Sequence, residues 1–229
     1  MFEVNQLNVG YGESHVIRDV SFKLAHGESV AIMGRNGMGK TTLLKALIGM
    51  LPSRSGRIVL DGSDLTTLKS YRRVERGLAF VPQGRMIFPL LSVEDNILSG
   101  AETSGHREVP DYIYRAFPVL KDMKARRGGN LSGGQQQMLA IARALISDPK
   151  VLILDEPTEG IQPSIIKEIA QILNVLRRER GFAIVVSEQV LSFALDLADR
   201  FLVIDRGAIV HERNKEEVDV DIIRSFLTV

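Results

Sequence analysis

A nine-residue segment restricts what this chain can fold into: Gly34-Arg35-Asn36-Gly37-Met38-Gly39-Lys40-Thr41-Thr42. The segment fits the phosphate-binding pattern G-x-x-x-x-G-K-[ST]. Its glycines allow the backbone to curl until successive N–H groups point at phosphate oxygens. Lys40 is then placed to reach the β- and γ-phosphates, and the Thr41 hydroxyl is placed to bind Mg²⁺. The segment therefore predicts a binding site for a nucleoside triphosphate.

The residues on both sides of this segment have the pattern that such a loop needs. Ser29 to Met33 is typical of a buried strand, and Lys40 to Met50 is typical of a helix. The N-terminus of that helix would face the phosphates with its partial positive charge. A glycine-rich turn without a ligand is the alternative interpretation, and the strand and helix around the segment disfavour it.

The composition sets limits on the class of protein. The 229 residues are 45% hydrophobic and 25% charged, so the chain can bury a core as one large domain. A net charge of +1 gives no reason to expect binding to nucleic acid or to an acidic membrane. The absence of cysteine excludes disulfides and thiolate metal sites. No membrane-spanning run or signal peptide is predicted, so we expect a cytoplasmic protein that reaches membranes through partners.

The N-terminal part of the chain has the pattern of antiparallel strands. Residues 2–9 are predicted to form an edge strand whose apolar side chains are Phe2, Val4, Leu7 and Val9. Val16 to Leu24 and Arg57 to Leu60 are predicted to be further strands. Tyr11 lies in the turn Gly10-Tyr11-Gly12, which would expose its ring. On these residues alone, a surface tyrosine is the favoured interpretation.

Residues 84–147 differ from the rest, because runs of β-branched residues disappear and helical patterns dominate. Ser92 is predicted to cap one helix, and Pro118 is predicted to interrupt another that begins at Asp111. We expect one domain over residues 1–229. Residues 1–83 and 148–229 would form its core, and residues 84–147 would form an inserted helical subdomain.

The helical region contains the segment Leu131-Ser132-Gly133-Gly134-Gln135. Ser132 and Gln135 form a capping box, which predicts that a helix begins here. A glycine costs a helix up to about 1 kcal/mol relative to alanine. Two glycines together therefore indicate a close approach of the backbone, and an anion at the helix N-terminus is the physical candidate. A plain capped helix is the alternative, which the phosphate-binding loop makes less favoured.

Two carboxylates follow an uninterrupted apolar run. Val151 to Leu154 is typical of a central parallel strand that is buried on both faces. Asp155 and Glu156 would then lie at its carboxyl end, where open α/β sheets bind ligands. Because adjacent carboxylates repel each other, we expect Mg²⁺-nucleotide beside them. Other core strands are predicted at residues 78–81, 182–186 and 201–204, with a helix from Pro163 to Gly181. The fold class is therefore α/β.

The phosphate-binding loop, Gln83, Leu131–Gln135 and Asp155–Glu156 occur in an order and spacing that resembles the ATP-binding cassette ATPases over essentially the whole chain. The resemblance implies a P-loop NTPase core with a mostly parallel central sheet, an N-terminal antiparallel β subdomain and an inserted helical subdomain. Residues 34–40 and 81–89 look like those of the branched-chain amino-acid importer subfamily. They look most like the second ATP-binding subunit of urea importers.

The resemblance also implies a role for each motif residue. Tyr11 would stack on adenine, and Mg²⁺ would be bound by Thr41 and Gln83, with Asp155 helping through water. Glu156 would orient and polarise the attacking water, with Lys40, Gln83 and Gln189 as the other catalytic residues. The phosphates would be held by Gly34, Asn36, Gly37, Gly39, Lys40, Thr41 and Thr42.

The same resemblance implies partners. One cassette supplies half of each ATP site, so Ser132, Gly133, Gly134 and Gln135 would close over the γ-phosphate of a second cassette. ATP would join the two cassettes and hydrolysis would release them. The helical subdomain would bind two polytopic membrane subunits, which act with an extracytoplasmic solute-binding protein. The chain would lie on the cytoplasmic face of the inner membrane, and no nucleic acid is expected as a partner.

Two positions depart from the general cassette pattern. Gln189 stands where many cassettes have histidine, and Gln162 stands where many have aspartate. Glutamine can contact a γ-phosphate but cannot carry a proton as imidazolium does. One hypothesis is a pair of non-identical cassettes with two different ATP sites. A homodimer is the alternative.

Three functions are left open by the sequence. The favoured one is the ATPase subunit of an importer for urea, short amides or branched-chain amino acids. The others are an ATPase for lipid or lipopolysaccharide export and a soluble cassette protein that acts on ribosomes or DNA. The single cassette and the near-neutral charge disfavour the soluble protein. The segment at residues 131–135 and the lack of an N-K-x-D motif disfavour a generic P-loop kinase or GTPase.

Overall fold

Two sheets and a set of helices make up the computed structural model, which describes residues 1–227. The strands are β1 (Phe2–Tyr11), β2 (Ser14–Leu24), β3 (Ser29–Met33), β4 (Ser53–Leu60), β5 (Ser63–Asp64), β6 (Leu78–Val81), β7 (Val151–Asp155), β8 (Ala183–Glu188), β9 (Arg200–Asp205) and β10 (Ala208–Asn214). The helices are α1 (Lys40–Ile48), α2 (Ser70–Glu75), α3 (Val93–Leu98), α4 (Asp111–Ala116), α5 (Pro118–Asp122), α6 (Gly133–Leu145), α7 (Pro163–Arg180), α8 (Leu191–Leu197) and α9 (Val220–Leu227). Short 3₁₀ turns lie at Gly128–Asn130 and Lys215–Glu217.

The larger sheet has the strand order β10-β9-β3-β8-β7-β6 and is parallel except for β10. Its central strands separate two apolar cores. In β7, Leu152 and Leu154 enter one core, whereas Val151 and Ile153 enter the other. A strand covered on both faces needs apolar side chains at every position, which explains the uninterrupted run in the sequence. The predicted α/β class with a mostly parallel central sheet is confirmed.

The smaller sheet has the order β2-β1-β4-β5 and is antiparallel. It confirms the predicted N-terminal β subdomain, but the expectation of an edge strand at residues 2–9 is wrong. β1 is an inner strand, because Phe2 pairs with Leu24 of β2 on one side and Leu60 of β4 on the other. Alternating apolar side chains indicate that one face of a strand is buried. They do not indicate whether both backbone edges of the strand are paired.

Helices α3 to α6 lie between β6 and β7 in the chain. α3 begins after Ser92, whose hydroxyl accepts a hydrogen bond from the Asp95 N–H at 3.0 Å. The predicted interruption at Pro118 is confirmed, because α4 ends at Ala116 and Pro118 begins α5. α6 packs its buried side against α3 and the sheet and so belongs to the same core as Leu152 and Leu154.

A buried arginine supports the helix of the phosphate-binding loop. Arg73 of α2 is 2% exposed and donates hydrogen bonds to the carbonyls of Ala46 and Leu47, at 2.8 and 2.7 Å. These carbonyls belong to the last turn of α1, where a cation is favourable. Gly49 follows in a left-handed conformation (φ 82°), and a Cβ there would lie 2.7 Å from the Arg73 Nε.

Three elements were not predicted from the sequence: β5, α2 and α9. The last of these, α9, packs on β9 and buries Ile223. Within residues 1–227, no helix combines the length and the apolar character that crossing a membrane requires.

Candidate active site

The loop between β3 and α1 has the curled backbone that the motif predicts. Gly37 and Gly39 have φ values of 80° and 107°, in the left-handed region that favours glycine. A Cβ at Gly39 would also lie 2.8 Å from the Ile17 Cδ1. Because α1 begins at Lys40, the N-terminus of a buried helix lies at the end of this loop. The loop therefore has the backbone shape of an anion-binding site.

The Lys40 side chain is folded into this loop. Its ammonium donates to the carbonyls of Gly34 at 2.8 Å and Arg35 at 3.2 Å. The Nζ also lies 3.1 Å from the Glu156 Oε1, and the side chain is only 3% exposed. A buried ammonium with a carboxylate partner is held at one position, where a phosphate can replace that partner.

Glu156 lies at the centre of the predicted catalytic residues. It follows β7 and has a positive φ of 44°, which is uncommon for a residue with a side chain. Gln83 Nε2 lies 3.3 Å from its Oε2, and Gln189 Nε2 lies 3.0 Å from its Oε1. Gln189 Nε2 also donates to the Asn36 Oδ1 at 2.7 Å. The structure therefore brings together residues from four separate parts of the sequence.

Asp155 forms a second group next to Glu156. Its Oδ1 accepts hydrogen bonds from Thr41 Oγ1 at 3.1 Å and Ser187 Oγ at 2.6 Å. Burial raises the pKa of Asp155, and the Glu156 charge raises it further, whereas the two hydroxyl hydrogen bonds lower it. The ionised form of Asp155 is thus destabilised relative to the protonated form, and a cation beside the carboxylate would stabilise it.

A cleft of about 270 Å³ lies over these groups. It is lined by Val16, Asn36, Gly37, Gly39, Lys40, Thr41, Thr42, Gln83 and Glu156. Residues 1–227 contain no cluster of three or more His, Asp or Glu side chains that could hold a metal ion alone. Hydroxyl, amide and carboxylate oxygens from Thr41, Gln83 and Asp155 nevertheless suit Mg²⁺, which takes few protein ligands and shares substrate phosphates. The residues present therefore fit Mg²⁺-nucleotide.

Tyr11 and the residues from Ser132 to Gln135 are not among those that line the cleft. Tyr11 ends β1 and is 49% exposed, in agreement with the predicted exposure of its ring. The capping box at α6 is present: Ser132 N–H donates to Gln135 Oε1 at 3.0 Å, and Gln135 N–H donates to Ser132 Oγ at 3.4 Å. A Cβ at Gly134 would lie 2.7 Å from Ile165 Cγ2 of α7. The packing of α7 against α6 within this chain is therefore one reason for a glycine at this position.

Sequence reasoning missed four residues of this region: Val16, Thr158, Ser187 and Glu188. Ser187 and Glu188 end β8, which is the strand next to β7, so the rule for the carboxyl ends of parallel strands could have identified them. Val16 comes from the smaller sheet, and no motif in the sequence around it indicates a place in the site. Its place in the cleft depends on how the two sheets pack.

Comparison with known proteins agrees with this geometry. A family model described as "ABC transporter" matches residues 17–159. The high-affinity branched-chain amino acid transport ATP-binding protein BraG of Pseudomonas aeruginosa is 41% identical over 92% of this chain and 91% of its own length. The probable branched-chain amino acid transport ATP-binding protein LivF of Archaeoglobus fulgidus is 35% identical, over 95% of this chain and 94% of its own.

A solved structure of an ATP-binding subunit of an ABC transporter covers 100% of both chains with a TM-score of 0.84 and 26% identity. The family match takes in the phosphate-binding loop, Gln83, Asp155 and Glu156. The chain belongs to the ABC transporter family and is one of its ATPases.

Proposed function

We propose that this chain is the ATP-hydrolysing subunit of an importer for branched-chain amino acids or for urea and short amides. The observation that carries the amino-acid class is the 41% identity to BraG, which extends over nearly the full length of both proteins. The urea class rests on the loop residues 34–40 and 81–89 and on nothing else in the chain. Both solutes would be bound by other polypeptides.

Hydrolysis would depend on Glu156. In the structure its carboxylate is held by Lys40 and Gln83, which line the cleft, and by Gln189, which also donates to the cleft residue Asn36. With a triphosphate bound, the Lys40 ammonium would bind phosphate oxygens and Glu156 would become available to orient and polarise water. Asn36 and Gln189 would hold the γ-phosphate side of the cleft. Such positioning with charge stabilisation is sufficient for phosphoryl transfer.

Mg²⁺ would be held by Thr41 and Gln83, with Asp155 acting through water. When bound, the ion supplies charge neutralisation on the phosphates. Thr41 and Asp155 already share a hydrogen bond of 3.1 Å. Tyr11 would stack on the base, since its exposed ring at the end of β1 is available to a ligand. The remaining phosphate contacts would come from the loop residues Gly34, Gly37, Gly39 and Thr42.

A second cassette would complete the site. Ser132 caps α6, and Gly133, Gly134 and Gln135 form its first turn. The Gln135 N–H is bound to Ser132 Oγ, whereas the N–H groups of Gly133 and Gly134 precede the first intrahelical bonds and therefore suit an anion. These four residues do not line this chain's own cleft, so they would serve the γ-phosphate bound by the partner cassette. Gln189 and Gln162 support a non-identical partner. Gln162 precedes α7 without a side-chain capping bond, which leaves its amide available.

An exposed apolar ridge supports binding to membrane subunits. We define the apolar ridge as Met86, Phe88, Leu90 and Leu91, which are between 40% and 78% exposed. It lies beside a groove of about 390 Å³ whose lining includes Phe80 and Arg143. Exposed patches of this kind mark interaction surfaces. The subdomain of residues 84–147 would pass nucleotide closure to two polytopic subunits from the cytoplasmic face of the inner membrane.

Uptake in cells tests this function. The gene would be deleted, and uptake of labelled leucine and labelled urea would be measured in cells that carry no copy, the unchanged gene or the Lys40→Ala variant. We expect uptake of one solute class to fall and to be restored by the unchanged gene alone. Lys40→Ala is the matched control for a chain that is present but cannot use ATP.

The outcomes separate the alternatives. Retention of both uptake activities, with loss of lipopolysaccharide at the cell surface, would replace import with export. Retention of both, together with co-purification of ribosomal or DNA-repair proteins instead of polytopic membrane proteins, would favour the soluble cassette protein. The ATPase assignment is independent of these results.

A further inference from the structure

A buried carboxylate lies immediately behind the candidate active site. Glu188 ends β8 and is 1% exposed. Its Oε1 accepts hydrogen bonds from the Thr158 N–H at 3.1 Å and the Thr158 Oγ1 at 2.6 Å. Its Oε2 accepts from the N–H groups of Gln189 at 2.9 Å and Val190 at 3.0 Å. Each oxygen is therefore bound to a different segment of the chain.

These two segments carry two of the residues that are proposed above to act on the γ-phosphate. Thr158 lies two residues after Glu156, and Gln189 directly follows Glu188. The Gln189 amide in turn donates to Glu156 Oε1 at 3.0 Å. The contacts form a closed ring. Glu188 joins the backbone at Thr158 to the backbone at Gln189 and Val190, and the Gln189 side chain joins that segment back to the Glu156 side chain. A shift of either segment would therefore change the Gln189–Glu156 distance.

The chemistry of the ring requires a carboxylate. All four partners of Glu188 are donors, and only an ionised carboxylate offers two oxygens that accept without donating. Burial raises the pKa of Glu188, while the hydrogen bonds from Thr158, Val190 and Gln189 oppose that effect. A glutamine at position 188 would present its NH₂ to two donors. It would therefore lose either the two hydrogen bonds from Thr158 or the two from Gln189 and Val190.

We infer that Glu188 is a positioning residue for ATP hydrolysis, which fixes the loop of Glu156 and the loop of Gln189 to each other. The inference rests on the roles proposed above for Glu156 and Gln189. Glu188 itself does not reach the nucleotide, because it is enclosed by the backbone of residues 158 and 189–190 and does not line the cleft. Its effect would be on the geometry of water attack and not on ATP binding.

The test compares steady-state ATP hydrolysis by the full chain purified with the partners that it retains in mild detergent. We expect Glu188→Gln to lower kcat at least tenfold while the KM for ATP changes less than twofold. Thr158→Val removes only the 2.6 Å hydroxyl bond and should lower kcat with the same unchanged KM. Thr158→Ser keeps that hydroxyl and should recover most of the rate lost in Thr158→Val.

Two further variants make the result decisive. Glu75→Gln removes an exposed carboxylate of α2 and should hydrolyse ATP at the unchanged rate. Glu156→Gln, measured in parallel, tests the proposed catalytic role separately: if it keeps its turnover, the catalytic assignment fails and the inference fails with it. If Glu156→Gln is inactive but Glu188→Gln and Thr158→Val keep kcat within twofold, only the positioning role is overturned. A rise in KM that matches the loss of kcat, or a Thr158→Ser variant as slow as Thr158→Val, would also overturn it.

Discussion

Lys40 and Glu156 form an ion pair across the cleft, with the Nζ 3.1 Å from Oε1 and with 3% and 13% of their side chains exposed. The pair joins the first residue of α1 to the residue that follows β7. In the proposed function, a triphosphate would compete with Glu156 for this ammonium, since both are anions at one cation. Nucleotide binding and release of Glu156 would then be linked through a single charge.

The first prediction concerns removal of this carboxylate. Glu156→Gln should lower ATP hydrolysis about 10²- to 10⁴-fold, which is the usual contribution of a positioned acid–base group. It should also increase ATP affinity, because the phosphates no longer compete with a carboxylate for Lys40. Phosphate release measures the rate, and binding of a fluorescent ATP analogue measures affinity. Because hydrolysis would release the two cassettes, the variant should also keep them joined in the presence of ATP, which size-exclusion chromatography measures.

Glu168→Gln is the control for that experiment, because Glu168 is an exposed carboxylate on α7 outside the cleft lining. It should leave both rate and affinity unchanged. Undiminished turnover in Glu156→Gln would exclude Glu156 as the residue that activates water. Reduced ATP affinity in the same variant would contradict the competition between Glu156 and phosphate.

The second prediction concerns the cation itself. Lys40→Ala should abolish detectable nucleotide binding, because the loop would lose the ammonium that its carbonyls hold at 2.8 and 3.2 Å. It would also leave Glu156 as an unpaired negative charge beside the phosphates. Titration calorimetry with ATP and Mg²⁺ measures the affinity. A dissociation constant that stays in the micromolar range would show that the loop is not the principal phosphate site.

The third prediction separates stability from activity at Asp155. Both hydroxyl hydrogen bonds reach one oxygen, Oδ1, so Asp155→Asn can keep them while removing a buried charge beside Glu156. We expect the nucleotide-free variant to unfold at a higher temperature than the unchanged protein. Each kcal/mol gained raises Tm by about 2–4 °C for a chain of this size. Mg²⁺-dependent hydrolysis should fall in the same variant.

The pH dependence checks the cause of that difference. Because burial raises the native pKa of Asp155 above its ordinary value of 3.8, the protonated form is favoured by folding. That stability is present at low pH and is lost as pH rises through the raised pKa. The Tm difference between variant and unchanged protein should therefore be largest near pH 7 and should shrink toward pH 4. A difference that is constant with pH would exclude the charge as its cause.

The candidate site was largely predictable because its residues follow buried parallel strands. The apolar run before Asp155 and the strand before Gly34 are parallel strands of one sheet, so their carboxyl ends lie at the same edge. Gln83 and Gln189 were predicted from the resemblance to the family, and the structure places both side chains on Glu156. Their roles stay predictions.

The sequence could not predict contacts that depend on how the elements pack. The pairing of β1 with β4, the place of Val16 in the cleft and the two bonds from Thr158 to Glu188 all join residues that are distant in sequence. Arg73 is the clearest case, because an arginine in a short helix of charged residues has the pattern of a solvated surface. Only the packing of α2 against α1 shows that it is 2% exposed.

The last prediction concerns Arg73. Arg73→Met should lower the free energy of unfolding by about 3 kcal/mol, since the buried carbonyls of Ala46 and Leu47 and the partly buried ones of Thr66 and Leu68 would lose their bonds to the guanidinium. Arg72→Met is the matched control, because Arg72 is exposed and pairs with Glu75 and the Tyr71 ring. Urea denaturation followed by circular dichroism measures both variants. If they unfold at the same urea concentration, Arg73 does not stabilise the end of α1, and the helix that presents Lys40 is held by apolar packing alone.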